Sequence, residues 1–172
     1  MTLFRLACIF LLLPLLAVAS DSYQLGAGDK LKITIFDEPD LSGEFELDGA
    51  GAVALPLIGQ MQALSLSPRE LEQRIEAKLL DGYLLRPRVS IEVLSYRPFY
   101  IMGEVNQPGS YPYRAGLNVL NAAALAGGFT YRADEDDIEI SREAAVGGGR
   151  FEAAPATEVM PGDVIRAKER LF

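Results

Sequence analysis

The feature that most constrains this chain is a two-residue alternation of apolar and polar side chains, repeated in short runs that are closed by glycine-bearing turns. Leu31, Ile33 and Ile35 alternate with Lys32 and Thr34 after Gly26-Ala27-Gly28-Asp29. Phe45 and Leu47 alternate with Glu44, Glu46 and Asp48, and after a turn at 49–51 Val53, Leu55 and Leu57 read as a return strand. This spacing places apolar groups on one face only, which predicts a small antiparallel sheet with a single buried side. Such a face needs a second layer to cover it.

Ser67-Pro68-Arg69-Glu70 supplies the start of that layer. Ser67 is placed to cap a helix, Pro68 fits its first position, and Glu70 can reach back to the cap amide. Leu71, Ile75 and Leu79 then recur on one stripe, with Arg69, Glu72, Glu76 and Lys78 read as the solvated side and Gly82 as the stop. Val89, Ile91 and Val93 alternate with Arg88, Ser90 and Glu92 and close the unit.

At 95–98 the pattern resets, so a second unit is expected. Residues 99–105 read as a strand, Asn106-Gln107-Pro108-Gly109 as a turn and 111–113 as a short return, while Asn118 caps a helix that Gly127-Gly128 ends. Ile138 and Ile140 alternate with Glu139 and Ser141, 147–149 is a hairpin tip, and Val164-Ile165 opens a last strand. The expected fold class is α+β. Two small β-rich domains are anticipated, at 22–95 and 97–170, the first with one packed helix.

Residues 1–20 read differently. Arg5 precedes an uncharged run at 6–19, ending in small residues at 17–20, which is the layout of a secretory signal peptide cleaved near Ala19 or Ser20. That run falls short of the roughly 20 residues needed to span a bilayer. Cys8 precedes most of the apolar run, so lipidation there is not expected. Cleavage would remove one base and no acid, taking the formal charge from −8 to −9.

Composition narrows the chemistry. With no histidine and one cysteine, an imidazole base, a thiolate nucleophile or a Cys/His zinc site lacks its parts. With 24 acidic against 16 basic residues, nothing favours nucleic acid. Asp134-Glu135-Asp136-Asp137 lacks the spacing of a calcium loop and reads as a solvated turn. No pair of carboxylates is singled out for glycoside hydrolysis. No catalytic, cofactor or metal residue is therefore assigned. Tyr96, Phe99, Tyr100, Tyr111, Tyr113 and Tyr131 are read as packing or subunit contacts before glycan contacts.

Several segments, in order, carry a family resemblance. Residues 23–29, 36–43, 55–59 and 66–71 resemble the polysaccharide export sequence domain of bacterial polysaccharide export proteins. Residues 103–111, 125–130 and 161–165 resemble the soluble-ligand-binding β-grasp (SLBB) domain that follows it. Within these motifs Gly26, Gly28, Asp29, Pro56, Gly59, Gly103, Pro108, Gly109, Gly127, Gly128, Pro161, Gly162 and Asp163 are read as scaffold. The glycines serve positive-φ or close-packed positions and the two aspartates bond turn amides. Phe45, beside Gly43, is the candidate for a lumen or partner contact.

The resemblance implies subunits that form a ring-like passage for capsule or exopolysaccharide, working with an inner-membrane co-polymerase often linked to a tyrosine kinase. Outer-membrane members carry a lipidated cysteine and a C-terminal amphipathic helix. Neither is read here, so the expectation is a periplasmic homo-oligomer, ring or adaptor, that relies on a separate outer-membrane protein such as a β-barrel. Its acids should face away from the passage, or the polymer should not be strongly anionic. The alternatives are a monomeric periplasmic module binding a soluble ligand or glycan, and a glycan-processing enzyme.

Overall fold

The computed structural model describes residues 23–143 and 148–170. The signal-peptide reading, Cys8 and Gly147 lie outside the described residues. An α+β fold results, with one core built from residues of 25–79 and a second from residues of 99–167.

In the first half, β1 (Lys30–Ile35) is central in a sheet ordered β2-β1-β5, with β2 at Gly43–Glu46 and β5 at Val89–Ser95, both antiparallel to it. Leu31 and Ile33 are fully buried, as the alternation requires. On the opposite face Lys32 stands between Glu44 and Glu92 in register, so unlike charges sit across strands. Helix α1 (Pro68–Leu80) starts on a complete capping box and buries Leu71, Ile75 and Leu79. Truncating any one of the three to alanine should cost about 2–5 kcal/mol.

Two readings are corrected here. Strand β3 (Ala52–Leu55) does not join the main sheet but pairs with β4 (Gly59–Gln62) in a separate ribbon. It also stops before Leu57, which has φ 65° and is exposed, because the Ile58 amide donates back to the Pro56 carbonyl in a tight three-residue turn. Pro56 has no amide with which to continue the ladder. The second correction concerns Glu72 and Glu76, which are not simply solvated. Their carboxylates accept the Ile91 and Val89 amides at 2.7 and 2.9 Å, covering the free edge of β5 with helix side chains.

The second half is a five-stranded sheet ordered β7-β6-β10-β8-β9. Its strands are β6 (Phe99–Gly103), β7 (Gly109–Tyr111), β8 (Ala133–Arg142), β9 (Gly149–Ala153) and β10 (Val164–Glu169). Only β6 and β10 run parallel. Helix α2 (Val119–Leu125), capped by the Asn118 side chain, lays Val119, Ala122 and Ala123 into the core. A Cβ on Gly103 would stand 2.0 Å from the Ala167 carbonyl oxygen, so β6 and β10 can approach only at a glycine.

The acidic run is the third correction. Residues 134–137 lie within β8 rather than in a turn before it. Asp137 has a basic partner there, Lys168 at 2.5 Å, while Glu135 and Asp136 remain exposed. Cross-strand charge thus offsets the poor strand preference of aspartate at Asp137.

Candidate functional site

The residues that the motifs supply do not converge on a cleft. They fall into two hydrogen-bonded groups, one of them at the junction of the two halves.

The junction is built on Asp29, which is fully buried. One carboxylate oxygen accepts the Arg97 amide at 2.8 Å, and the other accepts the Gly26 amide at 2.8 Å together with the Tyr23 hydroxyl. The Arg97 guanidinium donates to the Tyr23 oxygen at 2.9 Å and to Asp29 at 3.4 Å, and its other end lies 3.6 Å from Glu143. Burial first, and then the Asp29 carboxylate, push the Tyr23 phenol well above its ordinary range. The phenol is thus fixed as a donor. Tyr96 stands edge-on to Tyr23 at 4.8 Å and to Tyr113 at 5.3 Å, so a ladder of three rings runs beside the ion pair.

Glycine makes room for the guanidinium on both sides. A Cβ on Gly26 would lie 2.2 Å from an Arg97 Nη, and one on Gly162 would lie 2.8 Å from its Nε. Gly28 and Gly162 each occupy a positive-φ turn position, at 86° and 87°. Gly26, Gly28, Asp29 and Gly162 are therefore brought together around one arginine. The sequence reading passed over Arg97. Its signal was weak: a lone base between Tyr96 and Pro98, where both alternations lapse.

Asp163 forms a neighbouring centre after Pro161 and Gly162. It too is fully buried, accepts the Met160 amide at 2.7 Å, and receives both Nε and Nη2 of Arg142 at 2.9 and 2.8 Å. That bidentate hydrogen bond raises the Arg142 pKa.

The second motif group joins 103–109 to 127–130. Asn106 donates through its side chain to the Gly127 carbonyl at 2.8 Å and through its amide to the Gly128 carbonyl at 3.0 Å. Thr130 donates its hydroxyl to Glu104 at 2.5 Å. Gly127 and Gly128 take positive φ in this clasp, but Gly109 does not: it opens β7 with only ordinary contacts, contrary to the reading of it as a special position. Pro108 lies just before it in the same turn. Pro56 and Gly59 belong to the β3–β4 turn and approach neither group. Phe45 is half-buried against the first core, opposite Leu31.

Among the described residues no three His, Cys, Asp or Glu side chains are placed to hold a metal ion. Likewise, no described helix is long and apolar enough to cross a membrane. An open cleft of about 600 Å³ lies elsewhere in the first half, between 36–38 and 84–88, where Arg88 stacks on Phe36 at 4.1 Å.

Comparison with known proteins agrees with this division. Residues 17–94 match the family described as polysaccharide biosynthesis/export protein, and residues 98–151 match the SLBB domain. The exopolysaccharide production protein ExoF of Rhizobium meliloti is 36% identical over 145 residues, covering 74% of this chain and 34% of that protein. The polysialic acid transport protein KpsD of Escherichia coli is 26% identical over 108 residues, covering 62% of this chain and 19% of KpsD. The chain thus spans about a third of one relative and a fifth of the other. The two matched segments meet at the Arg97 junction, and the chain belongs to the polysaccharide biosynthesis/export family, with an SLBB domain following its export domain.

Proposed function

We propose that the protein is a periplasmic, non-catalytic component of a machinery exporting capsule or exopolysaccharide, in which copies of it form or adapt a ring-like passage toward the outer membrane. An inner-membrane co-polymerase and a separate outer-membrane protein are its proposed partners. The observation that carries this reading is that the motif residues bond to one another as scaffold. Asp29, Gly26 and Gly162 close on Arg97, and Asn106 closes on Gly127 and Gly128, so the fold spends its distinctive residues on shape. A passage needs shaped walls rather than a nucleophile.

The relatives' names, exopolysaccharide production and polysialic acid transport, support polysaccharide as cargo. The acidic surface is compatible with it, because Glu46, Asp137 and Glu139 each have a basic partner within 4 Å and Glu44 and Glu92 flank Lys32. Deleting the gene and measuring cell-associated and secreted glycan tests the reading. Secreted polymer should fall away and return with the intact gene; unchanged secretion overturns it. The oligomer mass of the purified protein, alone and with envelope extract, tests the ring separately.

A further inference from the structure

The backbone passes from one half to the other within a single pair of residues. The Arg97 amide is bonded to Asp29 of the first half at 2.8 Å, whereas the Pro98 carbonyl accepts the Gly162 amide of the second half at 3.1 Å. The proline ring fixes its own φ and narrows ψ of Arg97, so the link between the two anchored groups is two residues long, with φ of Arg97 and ψ of Pro98 its freer torsions. Each half carries its own apolar core. A rotation within this link would therefore leave both interiors intact.

Arg97 also guards this link with its side chain. The Arg97 side chain is 7% exposed and wedged between Gly26 of the first half and Gly162 of the second. Its attachments are unequal. Toward the first half it has Asp29 and the Tyr23 hydroxyl; toward the second it has one 3.6 Å ion pair with Glu143, whose side chain is 52% exposed. Its Nε is buried against Gly162 with no acceptor among the described residues. A buried charged donor without an acceptor weakens the closed arrangement on that side. The aromatic ladder is also split at this point, since Tyr96 meets Tyr23 on one side and Tyr113 on the other.

The geometry points to Arg97 as a latch on a two-residue hinge. Closed, it sets a single angle between the export domain and the SLBB domain. Released at its Glu143 and Gly162 side, it stays on Asp29 while the second half turns. The angle between the halves is then a property that a bound partner or cargo can change without unfolding either of them.

The experiment is a distance measurement on the full chain. Spin labels at Gln73→Cys on α1 and Ala124→Cys on α2, both exposed, in a Cys8→Ser background, report the separation by pulsed electron resonance. The parent should give one narrow distribution. Arg97→Met keeps the side-chain stem and leaves Asp29 its two backbone amide donors and the Tyr23 hydroxyl but no counter-charge, so the first half should stay folded at reduced stability and the second half should be unaffected. The distribution should broaden, while hydrogen exchange at Ile138 in the second core stays at the parent level. Glu143→Gln should broaden it less. An unchanged width in a folded Arg97→Met chain overturns the latch, as does a Glu143→Gln chain that keeps the parent width.

Discussion

Two turns of this molecule are nearly the same object put to different use. Gly26-Ala27-Gly28-Asp29 and Met160-Pro161-Gly162-Asp163 each place a glycine at positive φ third and a buried aspartate fourth. In each, the aspartate amide donates to the first carbonyl, at 3.2 and 3.1 Å, and the carboxylate accepts the first amide, at 2.8 and 2.7 Å. Each leads into a strand, β1 or β10, and each carboxylate is paired with an arginine. The arginines differ. Arg142 comes from the neighbouring strand of the same sheet and stays inside the second half. Arg97 lies 68 residues beyond its aspartate, at the boundary. The motif itself closes a turn locally; whether it also joins domains depends on where its arginine comes from.

Removing the two carboxylates should break this comparison most sharply. Asp29→Ala leaves the Arg97 guanidinium, the Arg97 and Gly26 amides and the Tyr23 hydroxyl without their acceptor, and should cost about 3–5 kcal/mol. Urea unfolding should show the loss, and hydrogen exchange should place it in the first half and at the junction. Asp163→Ala removes a charge-assisted pair whose arginine is partly exposed, with a loss of about 2–3 kcal/mol. Exchange should rise in β8 and β10 only. Equal spread of both effects over both halves would show that the turns play one role.

That contrast also marks how far the sequence could be read. The β1 alternation and the Ser67 capping box were legible because the period and the cap are local, set by neighbours within four residues. The β3–β4 ribbon was not, since the alternation runs on to Leu57 and masks the one local signal of the reversal, the missing amide of Pro56. The strand at 134–137 was hidden for another reason: its acids read as solvated, as Glu135 and Asp136 are, and the Lys168 that pairs with Asp137 comes from β10, 31 residues along the chain. The motif glycines and aspartates could be picked out one by one. Their common partner could not, because Arg97 meets Gly26, Asp29 and Gly162 only once both halves have folded.

A smaller effect belongs to the ring that lies between the turns. Tyr96→Leu keeps much of the apolar area but ends both edge-on contacts, each worth about 0.5–1.5 kcal/mol. A double-mutant cycle with Tyr113→Leu measures the contact toward the second half. A coupling near zero would leave the junction to Arg97 alone.

The smallest effect at neutral pH, and the most specific, is that of Tyr23→Phe. It removes one donor from Asp29 and one acceptor from Arg97, for about 1 kcal/mol. Its diagnostic is the alkaline limb. The folded-state phenol is held above its unfolded value, so the folded chain binds the proton more tightly, and the stability this gives is complete below about pH 10 and lost as pH rises past it. Tyr113 is raised in the same direction, by burial first and then by the Glu158 charge, and contributes to the same window. Urea midpoints taken from pH 8 to pH 11 should therefore fall less steeply in Tyr23→Phe than in the parent, with Tyr113→Phe intermediate. A Tyr23→Phe slope equal to that of the parent would mean that the phenol does not keep its proton against Asp29 in the folded chain. The Asp29 turn would then rest on its amides and Arg97, as the Asp163 turn rests on its amide and Arg142.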